Sequence, residues 1–271
     1  MNYLTDKKQN SEKKRQYILE RIQEMCYFDD DFMTKCFEDY KEGIELVLRI
    51  IMNDNELVVE KARTQAGIKN LQGRSIRMDV TAVDRAAKQY DVETQRAPSG
   101  AKPKRARYNS SIMDANAILP GDDTEYLPET YVIFITESDV LQRNLTIYHI
   151  DRRIEETGEL FGDDAHIIYV NGQIKDNTPL GKLMHDFSCT DPEDMNYKEL
   201  ADRARYFKTD KKGQRSMCKI VEDIVAKEMK EERIEFAKNL LNNGKLTLEE
   251  IAQCSGLTVE EVKAVKVLQP A

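Results

Sequence analysis

Asp79, Glu93 and Gln95 are the residues whose types and spacing suggest chemistry. From Ser75 to Val83, Ile76, Met78, Val80 and Ala82 alternate with Arg77, Asp79, Thr81 and Val83. This period of two places Asp79 on the polar face of a strand. After the connector Asp84 to Gln89, Tyr90, Val92 and Thr94 alternate with Asp91, Glu93 and Gln95, so Glu93 and Gln95 share a face. Two such runs with a short connector predict an antiparallel hairpin on which the three side chains converge. Two carboxylates on adjacent strands suit a hard divalent cation such as Mg²⁺ or Mn²⁺, with water and a substrate phosphate completing its shell. Such an ion lowers the pKa of a bound water and neutralises charge on a scissile phosphate. The competing reading is a plain solvated strand face, since the chain carries 49 Asp and Glu residues.

The charge balance bears on the substrate. Forty-one Lys and Arg against 49 acids give a net charge of −8, which repels polyanions and membrane surfaces. A DNA partner therefore needs a local basic patch. Thr94 to Ile112 provides one, with Arg96, Lys102, Lys104, Arg105 and Arg107 and no acid. Arg105 and Tyr108 would share a helix face. Arg105, Arg107 and Tyr108 are the candidates for contact with a phosphate backbone; the alternative is an ordinary helix with a basic first turn.

Other chemistries lack their residues. The five cysteines, Cys26, Cys36, Cys189, Cys218 and Cys254, form no CxxC and read as reduced thiols. His149, His166 and His185 are isolated, and no HExxH, GxSxG, GxGxxG or P-loop occurs. The longest apolar run, Gly43 to Met52, is broken by Glu45 and Arg49, and the lysines near the N-terminus lead into no apolar stretch. The expectation is a cytoplasmic protein without a membrane partner.

The elements that must position these residues follow from periodicity. Helices are expected over Ser11 to Cys26 and from Asp31 to Met52, the latter with Asp29, Asp30 or Asp31 as N-cap. Glu56 to Glu60 is a short β-rich run. Ala97 to Pro103 reads as a loop, and a helix follows to about Leu119. Tyr131 to Thr136 is apolar enough for a strand buried on both faces. Leu145 to Ile150 and Ile167 to Val170 suggest further strands, and the chain from about Met195 reads as helical. This pattern predicts an α/β or α+β core over residues 1–210 and an all-helical extension over 211–271.

Within that extension Thr247 to Glu250 and Thr258 to Glu261 are capping-box patterns separated by Gly256. Leu248, Ile251, Ala252, Leu257, Val259, Val262 and Val265 would line the inside of a helix-turn-helix-like pair. Its second helix sets Glu260 and Glu261 against Lys263 and Lys266, which favours packing or a homo-oligomer contact over DNA reading. The preceding helix, about Gln214 to Leu241, could pair with a second chain or pack on the core.

From Asp31 to about Tyr206 the chain resembles the PD-(D/E)XK nuclease family, in particular its recombination-promoting nucleases and transposases. The resemblance rests on Asp31-Phe32-Met33, Gly73-Arg74-Ser75, Arg77-Met78-Asp79-Val80, Tyr90-Asp91-Val92-Glu93-Thr94-Gln95, Arg105-Ala106-Arg107-Tyr108, and the runs from Tyr131 to Glu137 and from Ile167 to Gly172. It implies a restriction-endonuclease-like mixed sheet flanked by helices, and a Mg²⁺- or Mn²⁺-dependent DNA endonuclease linked to recombination or mobile elements. Asp79 would be the motif aspartate, Glu93 the second acid, and Gln95 would stand in the place of the motif lysine. The first helix would add an acid, with Asp31 as candidate ahead of Glu38 and Glu42. Three features depart from the pattern: Met78 replaces the proline, Gln95 replaces lysine, and the hairpin connector lacks a glycine. An amide can only donate and accept hydrogen bonds where an ammonium would supply charge, so slower chemistry is expected. The alternatives are a catalytically degenerate nuclease fold used for binding or assembly, and a helix-turn-helix DNA-binding regulator.

Overall fold

The computed structural model describes residues 2–68 and 76–267, and the side chains of 12–67 and 76–266. The segment Gly73-Arg74-Ser75 lies outside the described residues. The chain divides into two compact units, one of residues 23–214 and one of residues 1–22 with 215–271.

The larger unit is built on a mixed six-stranded sheet in the order β1-β2-β3-β4-β6-β5. The strands are β1 Val59–Ile68, β2 Ile76–Asp84, β3 Gln89–Gln95, β4 Thr130–Thr136, β5 Ile147–Ile150 and β6 Ala165–Asn171. β1, β2 and β3 form an antiparallel meander, β3, β4 and β6 are parallel, and β5 closes the far edge antiparallel to β6. The expected apolar strand is β4, where Val132 to Ile135 are fully buried. Helix α4, Pro103–Ala117, covers one face, its Ala106 and Met113 packing with Met78, Val132, Phe134 and Tyr169. The unit's other helices are α2 Asp30–Phe37, α3 Lys41–Met52, α5 Pro179–Ser188 and α6 Lys198–Thr209. Tyr27 stands among the rings of Phe32, Phe37 and Phe187, with centroids 5.5–5.7 Å apart, joining the chain before α2 to α2 and α5.

Three expectations change. The single helix from Asp31 to Met52 is two helices, because Asp39 takes a left-handed backbone, φ +51°. The carbonyls freed by the break are met by Arg203 of α6, which donates to Cys36 O (2.8 Å) and Glu38 O (2.6 Å) and lies over the Tyr40 ring. The short run at Glu56 to Glu60 is the start of a ten-residue strand, β1. α5 was not anticipated, although Thr178 caps it by accepting from Gly181 N–H and Pro179 occupies its first turn.

The hairpin forms without glycine. Asp84 N–H donates to Lys88 O (3.1 Å), and the Asp84 carboxylate accepts from Lys88 N–H and Tyr90 O–H, both at 2.9 Å. Ala87 then takes the left-handed position, φ +64°.

The smaller unit is helical and comprises most of α1 Asn2–Glu24 and of α7 Lys211–Asn243, with α8 Leu248–Ser255 and α9 Val259–Val267. Ile18, Ile22, Met217 and Val221 are buried, and Arg21 pairs with Glu228 at 3.0 Å. Ala237, Ile251, Ala252, Leu257 and Val262 form the core of α7, α8 and α9. Both capping boxes are present, and Gly256 ends α8 at φ +69°. On α9, Glu260, Lys263 and Lys266 are exposed, while Glu261 pairs with Lys230 of α7. Among the described residues no helix is long and apolar enough to cross a membrane.

Because Ala87 is exposed and its strain lies in the backbone, Ala87→Gly is expected to stabilise the chain by about 0.5–1 kcal/mol. Urea denaturation checks this; an unchanged or lower midpoint would mean that Asp84, not φ, governs the turn.

Candidate active site

The site forms where the hairpin opens. β2 and β3 pair through Val80↔Val92, Thr81↔Asp91, Ala82↔Tyr90 and Val83↔Gln89, and the pairing stops short of Asp79 and Glu93. β3 continues alongside β4, with Glu93 beside Phe134 and Gln95 beside Thr136. Where the β2–β3 ladder ends, side chains take its place: Thr94 N–H donates to Asp79 Oδ2 (3.1 Å) and Asp79 N–H to Glu93 Oε1 (3.4 Å). Each carboxylate of the sequence argument thus reaches across to the backbone of the other strand.

They do not lie on a solvated face. Asp79 is 7% exposed and Glu93 0%; Arg105 of α4 meets Glu93, and α2 packs on β2. β3 carries two of the buried acids, since Asp91 is also fully enclosed. α4 meets them at two rungs. Arg105 forms an ion pair with Glu93, and Asn109 Nδ2 donates to Asp91 Oδ2 at 3.0 Å. Four residues of helix rise about 6 Å and two residues of strand about 6.6 Å, so the rungs match in pitch. Arg105 is itself anchored, donating to Gly100 O (2.9 Å) with its guanidinium 5.7 Å from the Phe134 ring centre.

Burial dominates the electrostatics. It pushes Asp79 up to about 8, with the charges of Glu93 and Asp30 adding to the shift. Burial followed by the charge of Asp91 pushes Glu93 up to about 8, against the opposing pull of Arg105. Asp91 is raised to about 7, chiefly by burial. The hydrogen bond from Asn109 to its Oδ2 opposes that rise, and its Oδ1 is buried without a hydrogen-bond partner.

The remaining expected residues fall around this pair. α2 begins at Asp30, with Asp29 as N-cap, and the charge of Asp30 acts on Asp79 and Glu93. Asp31, the candidate from sequence, is the next residue, and Asp30 and Asp31 are both exposed. Gln95 ends β3, and its side chain lies so close over Gly100 that a Cβ there would collide with its amide. Among the basic residues, Arg96 is engaged by Asp29 (3.3 Å) and Cys26 Sγ (3.1 Å), and Arg105 by Glu93. Lys102, Lys104 and Arg107 are exposed on or beside the first turns of α4, and Tyr108 is half-buried. Sequence reasoning passed over Asp91 and Asn109. Both were signalled, Asp91 by sharing Glu93's strand face and Asn109 by following Arg105 at helical spacing.

Among the described residues no group of three or more His, Cys, Asp and Glu side chains could hold a metal ion. Two carboxylates nonetheless fit Mg²⁺, which keeps several waters and takes one or two carboxylates from protein. Two enclosed acids that repel each other's charge are also a donor set that a hard dication relieves. No family model matches the chain, and no curated protein or solved structure matches it either.

Both carboxyls hold their protons more tightly in the folded chain than in the unfolded one, where Asp and Glu titrate near pH 4. The folded state therefore carries more protons between about pH 4 and 8 and loses stability as pH rises through that window. Thermal unfolding followed by circular dichroism without divalent ions is expected to show this decline, with a shallower slope and a higher midpoint at pH 8 for Asp79→Asn. Parallel slopes for the two proteins would place the buried charge elsewhere.

Proposed function

We propose that the chain is a metal-dependent endonuclease that hydrolyses phosphodiester bonds in DNA, on a restriction-endonuclease-like sheet, with a role in recombination or mobile elements. The observation that carries this reading is the reach of Asp79 and Glu93 across to each other's strand at the open end of the hairpin, enclosed and mutually destabilised as anions. The resemblance of the surrounding segments to PD-(D/E)XK nucleases supports it.

In this reading Asp79 and Glu93 hold Mg²⁺ or Mn²⁺ in their deprotonated forms. The ion, when bound, supplies an acidified water and offsets charge on the scissile phosphate. Gln95 orients the water or a phosphate oxygen through its amide and contributes no charge. Arg105 keeps Glu93 in place through its ion pair, while Arg107 and Tyr108, with Lys102 and Lys104, receive the phosphate backbone. On a chain of net charge −8, such a small basic surface makes binding weak and sensitive to salt.

Plasmid nicking in Mg²⁺ or Mn²⁺ tests the reading. Asp79→Ala and Glu93→Ala are each expected to lower the rate by roughly 100-fold or more, with DNA retention at low salt preserved. Nicking that survives both substitutions would remove the pair from the chemistry. One observation favours a second reading, a nuclease-like fold kept for binding or assembly: Arg105 already offsets part of the charge on the acids without a cation. That reading predicts DNA retention with no cleavage in either metal.

A further inference from the structure

Gln65 departs from its strand. It has a left-handed backbone, φ +53°, in the middle of β1, where a residue with a side chain is ordinarily extended. Thr64 pairs with Val80 and Ala66 with Met78, so Gln65 falls beside Asp79. Glu93 in turn follows Val92, the partner of Val80. Gln65, Asp79 and Glu93 thus form a row across three adjacent strands.

The Gln65 side chain is committed at one end and unsatisfied at the other. Nε2 donates to Thr34 Oγ1 (2.6 Å) and to Asp30 Oδ1 (3.3 Å), and Thr34 O–H also donates to Asp30 Oδ1 (3.3 Å). The opposite amide orientation would set a carbonyl oxygen against the Asp30 carboxylate, so chemistry fixes this one. The carbonyl end, Oε1, is buried and has no hydrogen-bond partner. A strained backbone and an unsatisfied acceptor in one residue beside two buried acids are the kind of cost that folds retain at functional sites.

We propose that Gln65 is a positioning residue of the Asp79 and Glu93 site: its amide N–H holds Asp30 toward the pair, and its Oε1 accepts from a water in the hydration shell of a divalent cation. The inference rests on the reading of the pair as a cation site. The α2 acid then arrives through a residue of β1 that no motif marks, and the left-handed backbone is what turns the amide toward α2.

Mn²⁺ binding to the full chain, followed by electron paramagnetic resonance of the free ion, tests this without requiring cleavage. Asp79→Asn is expected to abolish specific binding. Gln65→Gly and Asp30→Asn are each expected to raise the Mn²⁺ Kd about tenfold, the usual effect of losing a residue that orients a ligand. The double variant is expected to bind no more weakly than the weaker of the two single variants, because the residues act as one unit. Glycine accepts φ +53° without strain, so Gln65→Gly keeps the fold while deleting the amide. A role confined to backbone shape would leave its Mn²⁺ affinity unchanged. Wild-type binding that is lost in Asp79→Asn but intact in Gln65→Gly overturns this inference alone. A wild-type chain that binds Mn²⁺ no better than Asp79→Asn overturns the cation-site reading and this inference together.

Discussion

The two rungs between α4 and β3 are the interaction on which the rest of the site depends. Glu93 and Asp91 are enclosed acids whose burial would be costly without partners. Arg105 and Asn109 meet them from one helix face at a matching pitch, which fixes both the height and the rotation of α4 over the sheet. That placement leaves Lys102, Lys104 and Arg107 exposed at the same end of the helix. Without the rungs, the register of α4 would depend more on its apolar contacts with Met78, Val132, Phe134 and Tyr169, and apolar packing tolerates small shifts better than a hydrogen-bonded charge does.

β3 is the strand that makes this arrangement feasible. It pairs with β2 along its first half and with β4 along its whole length, so the second half has one free edge inside the sheet. Asp79 and Glu93 fill that edge with their own carboxylates. The acids are therefore part of the backbone hydrogen-bonding scheme as well as candidates for chemistry. Replacing either with an apolar residue would orphan an amide in addition to deleting a charge.

Much of this was legible in the sequence, for reasons that also explain what was not. Period-two alternation is a local property, so β2, β3 and the shared face of Asp91, Glu93 and Gln95 could be read directly, as could the apolar run of β4. Alternation cannot say whether a polar face is open or covered, and α4 lies over this one. The break between α2 and α3 was invisible because its support, Arg203, stands far along the chain. Asp29, Asp30 and Asp31 are chemically interchangeable as caps, so the sequence left the N-cap open among them, and geometry selected Asp29. The missing hairpin glycine proved compatible with a tight turn once Asp84 supplied hydrogen bonds and Ala87 accepted strain.

The left-handed backbone at Gln65 has a consequence for how the sheet meets other chains. β1 is an outer strand, and a straight ten-residue edge would offer a regular row of unpaired amides and carbonyls to any extended peptide. One residue at φ +53° breaks that row near its middle, and the exposed Lys61 and Arg63 add like charges along it. The kink that brings an amide to Asp30 thereby makes β1 a poor template, so a sheet with an open flank is discouraged from growing by edge-to-edge addition.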